Sequence, residues 1–145
     1  MVASAAAGYR VNKPMCDVVL KVLQTQDSTP QASVFFNDIS LSAANAAYFN
    51  AFTANSADMD DGHMLANGHP GITTIPPVLA LGQWKSLGYA QMALAIAVGY
   101  EVYIRVSRAI MPSHQLRGFN GTGTAGTIAA AVASAKALDL DADQI

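Results

Sequence analysis

Stretches of alanine and other small apolar residues at helical spacing, cut by short runs of Gly, Asn, Asp and Pro, constrain this chain more than any other feature. Roughly a fifth of its residues are alanine, far above ordinary usage. A helix face built of Cβ methyls lets a neighbouring backbone come close, so faces such as Ala93/Ala97 and Ala129/Ala133/Ala137 predict helices buried between several others. Hydrophobic residues fill 52% of the 145 positions and Asp, Glu, Lys and Arg only 12%, about half the charged share of an ordinary domain. The expected fold is all-α: a helical-bundle segment forming one domain over residues 1–145, with one small β-hairpin near residues 32–41.

Local punctuation sets the element boundaries. Pro14 opens a short helix over 14–24, with Val18, Val19, Leu20, Val22 and Leu23 as its apolar side, and the polar stretch 25–31 with Pro30 ends it. Residues 32–36 and 39–41 flank Asn37 and Asp38 and predict the hairpin. Ser42 is a good N-cap for a helix over 43–57. The Asp-, Gly-, Asn- and Pro-rich segment 58–71 predicts a loop. A helix follows from near Ile75 to Leu81 or Trp84, with Pro76 and Pro77 in its first turn. Ser86 caps the longest helix, which runs to Ile110 before Pro112. A second polar loop over 112–123 leads into a final Ala-rich helix over 124–138.

Several functional classes are excluded at this level. With 8 basic and 10 acidic residues the net charge is −2, and no Lys/Arg cluster offers a footprint for nucleic acid or anionic lipid. The most apolar stretch, 87–100, holds Gln91 and stops at Glu101, short of the roughly 20 residues a membrane-spanning helix needs. The N-terminus lacks the basic leader and apolar block of a secretory signal. Cys16 is the single cysteine, which removes internal disulfides and a cysteine-based zinc site and points to a reducing, cytoplasmic setting.

The densest polar constellation is Asp58, Asp60, Asp61, His63 and His69. Carboxylates and imidazoles this close can serve as acid and base on one substrate, can hold a divalent metal, or can simply end a helix and be solvated. Neither HExxH nor EF-hand spacing occurs. GTGTAG over 121–126 matches the GxGxxG pattern, but no strand precedes it and no acidic residue about 20 positions on fits the dinucleotide fold. What survives is a helix N-terminus at Thr122, Gly123 and Thr124 whose amides can hold a carboxylate. Glu101 and Arg105 are spaced for an i,i+4 ion pair. Arg108 and Arg117 can reach the loops, Trp84, Tyr89, Tyr100 and Tyr103 suit core or interface positions, and Cys16 suits a buried apolar side.

Three blocks in order, AAYFNAFTANSADMDDGHMLANGHPG, ALAIAVGYEVYIRVSRAI and RGFNGTGTAGTIAAAVASAKALDLD, resemble the MmgE/PrpD family, which includes 2-methylcitrate dehydratase, cis-aconitate decarboxylase and iminodisuccinate epimerase. The resemblance implies an enzyme that acts on small di- and tricarboxylates without metal or organic cofactor, by proton transfer next to a carboxylate. It implies Asp58 as a first catalytic aspartate, Asp61 and His69 as further catalytic residues, and Asp60, His63, Asn120 and Thr122 as substrate-binding residues. Asn120 stands where relatives commonly carry His, and Gly62 where they often carry Thr. Relatives are longer, homodimeric and supplied with a lysine and a second domain, so the resemblance implies an interior slice of the helical domain, weakly active or inactive alone. The competing expectation is a non-catalytic helical module that self-associates through its Ala-rich faces.

Overall fold

The computed structural model describes residues 1–26 and 29–145. Seven helices and one minimal hairpin occur among them, in the order α1 (Val2–Val11), α2 (Lys13–Gln26), β1 (Ala32–Ser33), β2 (Ser40–Leu41), α3 (Ala43–Asn55), α4 (Pro70–Lys85), α5 (Tyr89–Ile110), α6 (Ser113–Leu116) and α7 (Gly121–Ala137). The mostly-α expectation with its small hairpin holds. Ala32 pairs with Leu41 and Ser33 with Ser40 in antiparallel register. Ser42 caps α3 as expected, its side chain accepting from the Asn45 amide. The stop expected over 25–31 falls partly on residues 27 and 28, outside the described residues.

Packing overrules local propensity at several boundaries. The residues 2–11, which carry no helix signal beyond alanine, form α1. The fourth helix begins at Pro70 rather than near Ile75, so Pro76 and Pro77 lie inside it. Each removes an amide donor that the interior of a helix would use. The cost is tolerated because Ile72, Thr74, Pro76, Val78, Ala80 and Leu81 are all buried, and burial of that apolar face offsets two lost hydrogen bonds. Ser86 ends α4 in the left-handed conformation, φ 54°, instead of capping α5, whose N-cap is Gly88. The last helix starts at Gly121, three positions early, with Asn120 as its cap.

The core lies where α4 packs between α3, α5 and α7. Ala129, Ala133 and Ala137 are fully buried, as their spacing predicts. Ala93 and Ala97 are exposed; the buried side of α5 is Ala95, Gly99, Tyr103 and Ser107. At Gly99 three helices meet closely: a Cβ there would lie 2.7 Å from a Thr74 methyl and 2.8 Å from the Ala133 methyl. Cys16 is buried and free. No helix among the described residues is long and apolar enough to cross a membrane.

Candidate active site

The loop between α3 and α4 is held by its own polar groups and by two neighbouring helices. Asp58 closes the turn that follows α3, in the left-handed region at φ 50°, with its amide donating to the Asn55 carbonyl at 2.9 Å. Short polar residues tolerate that conformation best after glycine. Farther on, the His63 amide donates to the Gly68 carbonyl at 2.9 Å, and the Ala66 amide donates to His63 Nδ1 at 3.2 Å. Ser107 Oγ on α5 donates to the Ala66 carbonyl. The imidazole of His63 is therefore spent on closing a tight loop over residues 63–68.

Asp61 reaches forward to the start of α4. Its carboxylate accepts from the Gly71 amide at 3.0 and 3.1 Å, and from the Tyr100 hydroxyl on α5 at 3.0 Å. The N-cap residue of α4, His69, makes no side-chain capping bond, so Asp61 satisfies a helix-start amide in its place. A carboxylate there also meets the positive end of the helix dipole. Burial first, then the adjacent Asp61 charge and hydrogen bond, push the Tyr100 phenol up from its ordinary value.

This leaves His69 free to face outward with one nitrogen committed. Its Nδ1 lies 2.6 Å from the Asp61 backbone carbonyl and 3.3 Å from Asp60 Oδ2. A carbonyl only accepts, so Nδ1 carries the hydrogen and Nε2 keeps the lone pair. The Asp60 side chain is 1% exposed, and neither of its oxygens has a hydrogen-bond donor among the described residues. A buried carboxylate left without donors is costly. An imidazolium formed at His69 would find its counter-charge already in place.

The opposite wall comes from the entry to α7. Asn120 Oδ1 accepts from the Thr122 amide at 2.8 Å and the Gly123 amide at 3.4 Å. Thr122 Oγ1 in turn accepts from the His69 amide at 3.1 Å, which stitches the two loops together and leaves the Thr122 hydroxyl hydrogen available. Between them lies a polar pocket of about 370 Å³, lined by His69, Asn120 and Thr122 with Gln115, Phe119 and the backbone around Gly68. The buried Tyr103 hydroxyl sits behind this wall. Its phenol is pushed up chiefly by burial, against the influence of Thr122 and the His69 backbone. It lies beside those groups without a well-aligned hydrogen bond to either. Gly68, at φ 150°, makes room for it, since a Cβ there would stand 2.0 Å from that hydroxyl oxygen.

Of the residues singled out in the sequence, His69, Asn120 and Thr122 meet at this pocket. Asp60 stands directly behind His69, and Asp61 holds the loop that carries it. Asp58 is exposed and does not line the pocket, and His63 points into its own loop. Tyr100, Tyr103 and Gln115 were not among the expected site residues; Tyr100 lies within the Gly-Tyr-Glu block, which was the available signal. The GTGTAG segment forms the first turns of α7 after an Asn cap, with no strand leading in. No group of three or more His, Cys, Asp or Glu among the described residues could hold a metal ion.

The family model for the MmgE/PrpD N-terminal domain matches residues 1–145. A comparison with curated proteins finds no match.

Proposed function

This chain belongs to the MmgE/PrpD family through its N-terminal domain, and from that premise we propose that it carries the acid/base half of an enzyme site for small di- and tricarboxylates. The observation that supports the reading most is the state of His69: it lines a polar pocket, its Nδ1 is committed to the Asp61 carbonyl, and a buried carboxylate stands behind it. His69 Nε2 takes a proton from the carbon next to a substrate carboxylate. Asp60 balances the resulting imidazolium, which passes its proton to the departing hydroxyl in a dehydration, while inversion at carbon takes its proton from water on the opposite face. The Asn120 amide hydrogens and the Thr122 hydroxyl donate to a substrate carboxylate, which also receives the partial positive charge at the start of α7. Loss of water and epimerisation begin from such a proton transfer, and loss of CO2 ends with its reverse, delivery of a proton to carbon.

In this reading Asp60, expected from the resemblance to bind substrate, stands behind the base, and Asp58, expected as a first catalytic aspartate, does not line the pocket. The pocket lining includes no lysine or arginine, so a polycarboxylate bound there lacks a permanent counter-charge. Weak turnover by these residues alone follows, because charge stabilisation in the transition state is commonly the largest catalytic contribution. The test is turnover of cis-aconitate, 2-methylcitrate and iminodisuccinate by the chain. His69→Ala should lower it by about 10²-fold or more, and Asp60→Asn should lower kcat with KM little changed. Activity that survives both substitutions together rules the reading out.

A second reading concerns assembly. The outer side of α5 shows Tyr89 at 85% exposure and Leu94 at 52%, with Ala93 and Ala97 exposed beside Leu94. Such a strip fits self-association into a homodimer, with or without catalysis. A cytoplasmic location belongs to the same set of proposals and rests on the single free cysteine, which is buried.

A further inference from the structure

The geometry points to Tyr100 as a positioning residue for His69, acting through Asp61. The inference rests on His69 being the reactive base, and it concerns how that base is held. The link runs in three contacts. The Tyr100 hydroxyl donates to Asp61 Oδ2 at 3.0 Å. The same carboxylate is gripped by the Gly71 amide at 3.0 and 3.1 Å. The backbone carbonyl of that residue then receives His69 Nδ1 at 2.6 Å. One residue is thus pinned at its side chain by α5 and α4 and presents its carbonyl to the ring.

Two further observations carry the same point. A Cβ on Gly71 would lie 2.2 Å from Asp61 Oδ1 and 2.6 Å from the Tyr100 hydroxyl oxygen. The space for this clamp exists only because position 71 has no side chain. In addition, Asp61 is the exposed member of the Asp60/Asp61 pair, so little burial is available to fix its loop and the two donors must do so. The high phenol proton affinity described above keeps Tyr100 a donor throughout the neutral range. Without the clamp, the Asp61 carbonyl drifts from Nδ1, and the ring is free to turn and to exchange which nitrogen carries the hydrogen. Orientation errors of about an ångström at a reacting group cost on the order of 10²-fold in rate.

The experiment is long-range ¹H–¹⁵N NMR of the His69 ring in the full chain, which reads the tautomer without any substrate, paired with steady-state kinetics. In the wild type, the Nδ1–H form should dominate. Tyr100→Phe should give a mixture of tautomers and, on whichever carboxylate is turned over, a fall in kcat of about tenfold with KM nearly constant. Gly71→Ala, which pushes on the clamp from the other side, should reproduce the mixture if Tyr100→Phe fails to fold. A Tyr100→Phe or Gly71→Ala chain that folds and keeps the wild-type tautomer overturns the inference. Altered tautomers in a chain that turns over none of the carboxylates would support the clamp while removing the function proposed above.

Discussion

Asp60 and Asp61 are adjacent in the chain and opposite in circumstance. The Asp60 side chain is buried and, among the described residues, meets no hydrogen-bond donor and pairs with the His69 ring, whereas Asp61 is exposed and its carboxylate accepts from two donors, the Gly71 amide and the Tyr100 hydroxyl. The alternation comes from the loop passing between α5 and the start of α4, so that successive side chains face opposite ways. The tyrosine that donates to Asp61 carries a pH consequence. Burial and the Asp61 charge raise the Tyr100 proton affinity above its ordinary value of 10.0, so the folded chain favours the protonated phenol. That contribution to stability is fully present below about pH 10 and is lost as pH rises beyond it. Urea unfolding between about pH 9 and 11 should show stability falling with pH, and Tyr100→Phe should flatten that fall. Tyr103 leaves a residual slope, since its phenol is also raised by burial. Cys16 is raised in the same way, its thiol pushed up by burial, so a thiol-disulfide reagent should modify it only as the chain unfolds. Rapid modification of the native protein would contradict the buried placement.

At the scale of elements, the close crossing of α4, α5 and α7 depends on residues without bulk. Gly99 sits against Thr74 and Ala133, and a larger side chain there has to part three helices. Gly99→Val should cost about 1–3 kcal/mol or more in denaturant unfolding, the usual range for overpacking. A value near zero would show that the crossing is looser than described. Which elements form was legible in the sequence wherever a cap or a period announced them: Ser42 before α3, the hairpin around Asn37 and Asp38, the buried row Ala129/Ala133/Ala137. The starts of α4 and α7 were not, because Gly71, Pro76, Pro77, Gly121 and Gly123 oppose helix locally, and only contacts with distant helices outweigh them. The choice between the two sides of α5 was lost for a related reason. Ala93/Ala97 and Ala95/Gly99 have equal spacing, and the charged residues that mark the outside, Glu101 and Arg105, join the Ala93/Ala97 row only a turn farther on. The candidate site divides along the same line. His69, Asn120 and Thr122 stand in loops rich enough in polar residues to be noticed, while Tyr100 and Tyr103 look like ordinary core tyrosines until the loop is folded over them.

For the whole molecule, the low charge noted in the sequence has two outlets. One is a core lined with alanine, where small side chains replace a thick apolar filling. The other is surface: Tyr89, Leu94, Met64, Leu65 and Leu116 are all more than half exposed. If the outer strip of α5 joins copies of the chain, sedimentation at micromolar concentration should show a dimer, and Leu94→Glu should shift it to monomer. A wild type that sediments as a monomer would leave that strip without the proposed role. The pocket is framed elsewhere, by the loop that leads into α4, by Gln115 of α6 and by the entry to α7, with the half-exposed Phe119 in its lining. The central claim is that His69, backed by Asp60, moves a proton at a carbon next to a carboxylate. Proton NMR in D2O with 2-methylcitrate or iminodisuccinate tests it most directly, since it registers exchange even where net turnover is slow. Deuterium should enter at the carbon beside a carboxylate with the wild type and not with His69→Ala, and Asp60→Asn should slow exchange more than Asp58→Asn does. Exchange that proceeds undiminished in His69→Ala would contradict the account.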